Sequence, residues 1–259
     1  MLTERSTRVV AAVKLHRQVA RRRARRFLVE GAHLVEAASG RGLVREVFVT
    51  ETAAQRYAAL LESQDAAVNL VTERAAKALS DTVTPAGLVA VCDLPGRDLD
   101  DVLADAPRLV AVGAEIGEPG NAGTLIRIAD AMGAAAVIFA GHSVDPYNGK
   151  CLRASAGSVF SLPVIAEPDA GAAVTALQDA GLRVLATTLD GELSLDDVEL
   201  AGPTAWLFGS EAHGLSPQLA ERADSRVAIP MSGGAQSLNV AAAAAICLYQ
   251  SARAQRANP

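Results

Sequence analysis

From residue 108 onward the chain alternates short apolar runs with helical patterns, and this alternation restricts the possible folds more than any other feature. The apolar runs are "RLVAVGAEI", "AAVIFAG", "LPVIA", "LRVLATT", "PTAWLFGS" and "RVAIPM". Continuous rather than alternating apolar character is typical of strands buried on both faces, as in a parallel sheet covered by helices. A short helix at "SPQLAERA" with Ser216 as its N-cap is predicted before the last strand, and a long helix is predicted from about Ser237 to Arg253 at the end of the pattern. The sequence therefore predicts an α/β domain with a parallel sheet over 108–259.

The first 92 residues contain a second set of shorter predicted elements. A basic helix is predicted over 6–23, and Thr72 is the expected N-cap of a helix beginning at "ERAAKALS". The further strands are predicted at "RFLVEG", "VREVFVT", "AAVNLVT" and "GLVAVCD", and the further helices at "AHLVEAASG" and "AAQRYAALLES". Residues 93–107, "DLPGRDLDDVLADAP", are acidic between two prolines, which is typical of a linker or a short surface helix. We expect an N-terminal domain at 1–92, a linker at 93–107 and a C-terminal domain at 108–259.

Charge is distributed unevenly along the chain. The whole sequence has a formal net charge of −5, yet residues 1–30 carry nine Lys or Arg residues against two Glu residues. A basic segment on an acidic body favours an anionic partner, with nucleic acid the first candidate. The alternative is a solvated, arginine-rich helix without a partner.

Cysteine and histidine positions predict neither disulfides nor a metal site. The cysteines are Cys92, Cys151 and Cys247, an odd and widely spaced set without a CxxC pair, and the four histidines lack metal-ligand spacing. This composition fits a reducing compartment, and we expect a cytoplasmic protein. The N-terminus has no apolar signal core, and no apolar run is long enough to span a bilayer, so no membrane association is expected.

Three loops that follow predicted strands carry polar side chains. The loop after "RLVAVGAEI" contains Asn121, which is the expected N-cap of the next helix, and the loop after "PTAWLFGS" contains Glu211. The segment after "RVAIPM" contains Ser237, the expected N-cap of the last helix, and Asn239. Because ligands bind beyond the carboxyl ends of parallel strands, these loops are candidate site loops. The alternative is that they contain only helix caps and ordinary loop residues.

A dinucleotide-binding loop is one interpretation of the first of these loops. Gly117, Gly120 and Gly123 form a GxxGxxG pattern, whereas the dinucleotide fingerprint is GxGxxG with an acidic residue at the end of the next strand. The next strand is followed by "GHS" and has no acidic residue there. The pattern therefore argues against nicotinamide or flavin binding.

Taken together, the loops resemble the three signature motifs of the SPOUT methyltransferases, in the SpoU branch of tRNA and rRNA ribose 2'-O-methyltransferases. The matching stretches are "EPGNAGTLIRIADAMG", "LFGSEAHGLS" and "IPMSGGAQSLNVAAAAAICLYQ", with "DPYNGKCLRASAGSVFSLPV" between the first two. Upstream, "RRRARRFLVEGAHLVEAA" resembles the start of a small RNA-binding domain similar to kink-turn-binding ribosomal proteins. The resemblance covers nearly the whole chain.

This resemblance implies a fold and an activity that periodicity alone does not predict. The C-terminal domain would contain a deep trefoil knot, and the protein would be a homodimer. The enzyme would transfer a methyl group from S-adenosylmethionine to a ribose 2'-hydroxyl of RNA, without a metal. The appended N-terminal domain favours ribosomal RNA (23S) over tRNA.

The resemblance also implies site residues in this sequence. The catalytic group would comprise Asn121, Arg127, Glu211, Ser237 and Asn239. S-adenosylmethionine would be bound at Gly209, Ile229 and Leu238, with Thr187 nearby. RNA contacts are expected at Arg21, Arg22, Arg23, Arg25, Arg26 and Arg153.

Arg127 admits three interpretations. By resemblance it would be the base that takes the proton of the ribose hydroxyl, with help from a substrate phosphate, because a guanidinium is normally always protonated. It could instead clamp that phosphate through a bidentate contact while the phosphate or water takes the proton. Without the other motifs, a surface ion pair with Asp130 would be the simplest interpretation.

Two rival classes of protein remain open from the sequence. A catalytically silent RNA-binding protein of the same fold would have no need of all five catalytic residues. A nucleotide-dependent oxidoreductase would bind NAD(H) instead of a methyl donor.

Overall fold

The computed structural model describes residues 1–257. Up to Asp93 the chain forms a four-stranded sheet in the order β1-β4-β2-β3, in which β2 and β3 are parallel and the other neighbours antiparallel. The elements are α1 Thr7–Val13, a 3₁₀ turn Lys14–His16, α2 Gln18–Ala24, β1 Arg26–Glu30, α3 Ala32–Ser39, β2 Val44–Val49, α4 Glu51–Arg56, α5 Ala58–Glu62, β3 Ala67–Leu70, α6 Glu73–Leu79 and β4 Leu88–Asp93.

The remaining chain forms a seven-stranded sheet in the order β7-β6-β5-β10-β8-β11-β9. All neighbouring strands are parallel, which confirms the predicted α/β fold with a parallel sheet. The elements are α7 Leu99–Ala104, β5 Leu109–Ala114, α8 Pro119–Ala131, β6 Ala136–Ala140, α9 Gly149–Ser155, a 3₁₀ turn Ser158–Phe160, β7 Val164–Glu167, α10 Ala170–Asp179, β8 Arg183–Thr187, β9 Leu193–Ser194, β10 Thr204–Phe208, α11 Pro217–Ala220, β11 Ser225–Ala228 and α12 Val240–Ala257.

Helices cover both faces of the parallel sheet, which explains why β5, β6 and β10 are buried at every residue. Helices α7, α10 and α11 pack on one face, and α8 and α12 pack on the other. On the second face the buried Trp206 donates its indole N–H to Ser251 Oγ of α12 at 2.8 Å. A buried indole N–H without a partner would be costly, so this bond sets where α12 lies on the sheet.

The chain divides into two compact units that differ from the expected domains. The first comprises Met1–Gly96 and Tyr147–Phe160, and the second comprises Arg97–Pro146 and the chain from Ser161 onward. The segment Tyr147–Phe160, expected in the C-terminal domain, packs with β1, since the Phe27 ring lies 4.9 Å from the Tyr147 ring and 6.2 Å from the Phe160 ring. The core of the first unit is therefore built from two separate stretches of the chain.

Residues expected to form the linker are largely ordered in the second unit. Helix α7 begins with a capping box in which Asp98 and Asp101 each accept a hydrogen bond from the backbone N–H of the other. Its Val102 side chain is buried in the core of the second unit. The stretch is thus a short helix that contributes to that core.

Two predicted helices are interrupted in the structure. The helix expected over 6–23 is divided into α1, a 3₁₀ turn and α2, because Arg17 adopts an extended backbone conformation. The helix expected at "AAQRYAALLES" is divided into α4 and α5 at Tyr57. The predicted caps at Thr72 and Ser216 are confirmed, since each side chain accepts a backbone N–H three residues ahead. No helix within 1–257 is long and apolar enough to cross a membrane.

Candidate active site

A cavity of about 530 Å³ lies in the second unit at the carboxyl ends of β8, β10 and β11. Parallel strands end at the same edge of a sheet, so loops that are distant in sequence meet there. All four residues expected to bind the methyl donor line it, together with two members of the expected catalytic group. These six residues are Thr187, Gly209, Glu211, Ile229, Ser237 and Leu238.

Two neighbouring threonines form part of the wall and differ in their hydrogen bonding. Thr187 Oγ1 donates to the carbonyl oxygen of Leu207 at 3.1 Å, so this hydroxyl ties the ends of β8 and β10 together. The Thr188 hydroxyl oxygen is buried and has no hydrogen-bond partner within the described residues 1–257. Thr188 is a polar wall residue that the sequence analysis did not identify.

Gly209 begins a tight turn that presents Glu211. Ser210 and Gly214 exchange backbone hydrogen bonds of 3.1 and 2.9 Å, and Gly214 has a φ of +67°. A Cβ atom at Gly209 would collide with the backbone of Gly214 and Leu215. The turn therefore requires glycine at position 209, and it leaves Glu211 and His213 exposed beside the cavity.

A hydrogen-bonded group of three side chains connects the three motif loops. Asn121 Nδ2 donates to Glu211 Oε1 at 2.6 Å, and Asn239 Nδ2 donates to Asn121 Oδ1 at 3.1 Å. Asn239 Oδ1 in turn accepts the backbone N–H groups of Ala241 and Ala242 at 2.9 and 3.4 Å. Because a carboxylate only accepts, these bonds determine which way both amides point.

Two predicted helix caps are wrong, and the corrections explain this network. Helix α8 begins at Pro119, with Glu118 as its N-cap accepting the Gly120 N–H at 3.1 Å, because proline favours the first helical position. Asn121 is therefore inside the first turn, and its side chain is available to Glu211. Likewise Asn239 rather than Ser237 caps α12, which begins at Val240.

Arg127 lies on α8, with its side chain exposed and outside the lining of the cavity. Within the part of the chain that the structure describes, Arg127 makes neither a hydrogen bond nor an ion pair, so the surface pair with Asp130 is not present. The structure thus brings together Asn121, Glu211 and Asn239, and leaves Arg127 apart from them with all five donors available.

Charged residues that the sequence analysis did not identify flank the cavity after β8. Arg226 donates its backbone N–H to Glu192 Oε1 at 2.7 Å and its Nε–H to Oε2 at 2.9 Å, and its Nη1 lies 3.6 Å from Asp190 Oδ2. The backbone N–H of Arg226 is the largest cause that lowers the pKa of the Glu192 carboxyl, and the guanidinium adds to it. Asp190 and Arg226 line the cavity, so this cluster supports one wall. In the sequence, "LDGE" follows the predicted strand "LRVLATT", and this position at a strand end could have identified Asp190 and Glu192 as candidate site residues.

The arginines expected to contact RNA fall into three classes. Arg21 is 5% exposed, and its guanidinium donates to the carbonyl oxygens of Leu15 and His16, each at 2.9 Å. A guanidinium buried against backbone carbonyls cannot reach RNA phosphates, so the expected role of Arg21 is corrected to a structural one. Two others are paired with carboxylates, and three are exposed. The paired arginines are Arg26 with Asp93 and Arg153 with Asp81, and the exposed ones are Arg22, Arg23 and Arg25.

Residues 1–257 contain no group of His, Cys, Asp or Glu side chains arranged to hold a metal ion. The three cysteines are buried, and each lies outside any disulfide. Burial raises the pKa of the Cys247 thiol, and burial followed by the nearby Asp93 carboxylate raises that of Cys92.

Family models match both parts of the chain. The model of the SpoU rRNA Methylase family matches residues 108–249, and that of the MRM3-like substrate binding domain matches residues 6–90. The first match includes every motif loop that surrounds the cavity.

Curated relatives cover different shares of the chain. The 23S rRNA (guanosine(2553)-2'-O)-methyltransferase RlmP of Bacillus subtilis (strain 168) is 35% identical over 91% of this chain and 92% of its own length. The 23S rRNA (uridine(2479)-2'-O)-methyltransferase of Streptomyces viridochromogenes is 39% identical over 65% of this chain and 61% of its own length.

Solved structures match over nearly the full length. The SpoU methyltransferase AviRb from Streptomyces viridochromogenes, in complex with the cofactor AdoMet, has a TM-score of 0.87 at 33% identity, over 98% of this chain and 99% of its own. An AdoMet-bound rRNA methyltransferase from Sinorhizobium meliloti has a TM-score of 0.82 at 28% identity, over 96% and 95% of the two chains.

Proposed function

The chain belongs to the SpoU rRNA methylase family, and from this premise we propose that it transfers the methyl group of S-adenosylmethionine to a ribose 2'-hydroxyl of 23S ribosomal RNA. The observation that carries the proposal is the cavity at the ends of β8, β10 and β11, bordered by the Asn121–Glu211–Asn239 group. Both lie in the part of the chain that the family model matches.

The cavity has the chemistry that S-adenosylmethionine requires. Its wall combines the apolar side chains of Leu189, Ile229 and Leu238 with a few polar groups, as in most small-molecule sites. A buried hydroxyl without a partner costs on the order of 1–3 kcal/mol. The Thr188 hydroxyl would recover that cost by bonding to a polar group of the ligand. We assign binding of the methyl donor to this wall, with Thr187 holding β8 and β10 in place.

When bound, S-adenosylmethionine supplies a methyl group that is already activated on a sulfonium. The protein has to align the ribose hydroxyl with that methyl group and provide for the release of one proton. Alignment alone contributes up to roughly 7–11 kcal/mol in favourable cases. The Asn121–Glu211–Asn239 group holds the loops of motifs one, two and three in a single arrangement, which is what alignment requires.

Arg127 is assigned to the substrate phosphate beside the reacting ribose. Its guanidinium is exposed and has no protein partner in the described residues 1–257. Two of its N–H groups are therefore available for a bidentate contact with a phosphate. A guanidinium remains protonated at neutral pH, so the phosphate or a water molecule takes the proton of the hydroxyl. We assign to Ser237, which is exposed and lines the cavity, a contact with the same nucleotide.

A homodimer is part of the proposal. Arg127 does not line the cavity of its own chain, so a second copy that supplies its Arg127 would complete the site. On α12, which packs against α8, the large side chains Ile246 and Tyr249 are 38% and 50% exposed. Burial of these side chains against a second copy would bring α8 to the interface.

The trefoil knot and the RNA-binding role of the first unit are likewise proposals. The segment between β11 and α12 shares a cavity with the loops after β8 and β10, and α12 then packs on the central strands β5 and β10. This path is compatible with threading of the C-terminal segment. For the first unit, the match to a substrate-binding domain and the exposed Arg22, Arg23 and Arg25 support RNA binding. A 23S RNA substrate implies a cytoplasmic location.

The proposed function is tested by methyl transfer from tritiated S-adenosylmethionine to RNA. Unmethylated 23S RNA, 16S RNA and bulk tRNA are offered separately, and the labelled nucleotide is mapped by the resistance of its linkage to alkali. We expect label in 23S RNA at one ribose. Label in tRNA alone would show that the substrate is tRNA rather than 23S RNA. Binding of the donor without transfer to any RNA would indicate a catalytically silent RNA-binding protein.

A further inference from the structure

A second cavity, of about 330 Å³, lies within the first unit between β1, the end of α6 and α9. Its lining includes the apolar residues Leu28, Leu34 and Leu152, which we call the apolar floor, and it also includes Tyr147. Its polar lining includes His16, Asp81, Lys150 and Arg153. Methyl transfer, as proposed above, uses none of these residues.

We propose that this cavity binds one unpaired nucleotide of the RNA substrate, with the base against the apolar floor and Tyr147. The inference rests on the proposed function, because it takes RNA as the substrate. It adds a place where the protein recognises that RNA by its bases rather than by its phosphates alone.

The composition of the lining distinguishes the cavity from a packing void. Voids that remain empty in proteins are lined by apolar side chains. Here Asp81 and Arg153 form an ion pair in the lining, and their side chains are still 36% and 38% exposed, respectively. They therefore offer acceptors and donors to a ligand, while the pair fixes where those groups lie.

The polar groups of the lining are held in place before any ligand binds. The Glu30 carboxylate accepts hydrogen bonds from the hydroxyls of Ser80 and Thr82 and from the Ala86 N–H, which pins the loop after α6. Val83 at the tip of this pinned loop is fully exposed. A fixed loop with an exposed apolar tip, next to the lining residues Ser80 and Asp81, suits contact with an unstacked base.

A nucleotide matches the chemistry of the cavity and its surroundings. Proteins read RNA sequence mainly from unstacked bases, which stack on aromatic side chains and form hydrogen bonds with polar groups along their edges. Tyr147 and the leucines supply the surface for the base, and Asp81 and Arg153 supply the polar groups. Arg21 lines the cavity, and the exposed Arg22, Arg23 and Arg25 follow it in the chain. These three exposed arginines would contact the phosphates that flank the bound nucleotide.

The test fills the cavity without removing a contact. Ala78 lines the cavity, so Ala78→Leu places a larger side chain in it, and Ala58→Leu on the exposed surface of α5 is the matched control. Binding of single-stranded segments of 23S RNA to the full-length protein is measured for both variants across a series of salt concentrations. Loss of one stacked base should weaken binding by about tenfold. We expect this for Ala78→Leu with an unchanged salt slope, and wild-type affinity for Ala58→Leu.

A second measurement does not depend on the folding of the variant. RNA carrying 4-thiouridine is cross-linked to the wild-type protein, and we expect adducts on the peptide that contains Tyr147 and Lys150. Wild-type affinity of Ala78→Leu, or the absence of adducts on this peptide, would overturn the inference. If wild-type protein methylates RNA while either result is obtained, only this inference fails. If wild-type protein methylates no RNA, the proposed function fails as well.

Discussion

Asn121 donates an amide N–H to the Glu211 carboxylate at 2.6 Å, across 90 residues of sequence. The same Asn121 accepts an N–H from Asn239, so one side chain connects the three motif loops beside the cavity at the ends of β8, β10 and β11. Because Asn121 uses both its donor and its acceptor, a substitution that preserves its shape changes the bonding of all three loops.

Replacing Asn121 by Asp tests that relationship. The variant replaces the donor with a carboxylate that faces the Glu211 carboxylate, so the two charges repel and the loops separate. We expect the rate of methyl transfer to fall by about tenfold or more, since small displacements of reacting groups are costly. Asp130→Asn on the same helix is the control. Rates are measured with tritiated donor, and a wild-type rate for Asn121→Asp would contradict the assigned role.

Arg127→Ala should abolish methyl transfer and leave binding of S-adenosylmethionine unchanged, because Arg127 lies outside the cavity that we assign to the methyl donor. Arg127→Lys should also be strongly impaired, since an ammonium cannot make the bidentate contact. Calorimetry with S-adenosylmethionine and transfer assays separate the two properties. Loss of donor binding in Arg127→Ala would show that the assignment to the substrate phosphate is wrong.

The arginines of α2 and its C-terminus should separate into RNA-contacting and structural residues. Replacing Arg22, Arg23 and Arg25 together by Gln should reduce the salt slope of RNA binding by about 2, at roughly 0.7 per phosphate contact on a single strand. Arg21→Gln should leave that slope unchanged and lower the free energy of unfolding by about 1–3 kcal/mol, because buried carbonyl groups lose their partner. Urea unfolding and salt titrations measure both effects. An unchanged slope for the triple variant would mean that these arginines are only solvated.

Gly209→Ala should abolish binding of S-adenosylmethionine, since the added Cβ collides with the backbone of Gly214 and Leu215 and displaces the turn. Gly233→Ala is the matched control, because a Cβ at Gly233 meets no atom within 4 Å. Both variants are compared by calorimetry and by thermal unfolding. Equal donor affinity in the two variants would rule out the turn as part of the donor site.

Glu192 should make stability depend on pH in the acid range. Its folded-state pKa is lowered, mainly by the backbone N–H of Arg226, so the ionised carboxylate stabilises the folded state above the ordinary pKa of a Glu. That contribution is lost as the pH falls through the lowered pKa. Glu192→Gln should therefore be less stable than wild type at pH 7 and should approach it at acid pH. Urea unfolding at a series of pH values measures the difference, and a difference independent of pH would exclude ionisation as its source.

Much of the fold could be predicted because it depends on local patterns. Continuous apolar runs such as β5 and β10 are favourable only where both faces are buried, which requires a parallel sheet with helices on each side. The caps at Thr72 and Ser216 depend on the backbone of the next few residues and were predicted correctly. The caps at Asn121 and Ser237 were wrong because a competing residue nearby started each helix at a different position.

The sequence by itself determined the α/β class, the order along the chain of six of the seven strands of the parallel sheet, and six of the residues that line the cavity at the ends of β8, β10 and β11. Only the tertiary structure decided which of the predicted site residues touch, because Asn121, Glu211 and Asn239 meet through the spatial order of strands, which periodicity does not encode. It also decided that Arg21 is buried while Arg22 and Arg23 are exposed, since that depends on which face of α2 meets the core. Local periodicity sets the elements, whereas burial and contact depend on how distant elements pack.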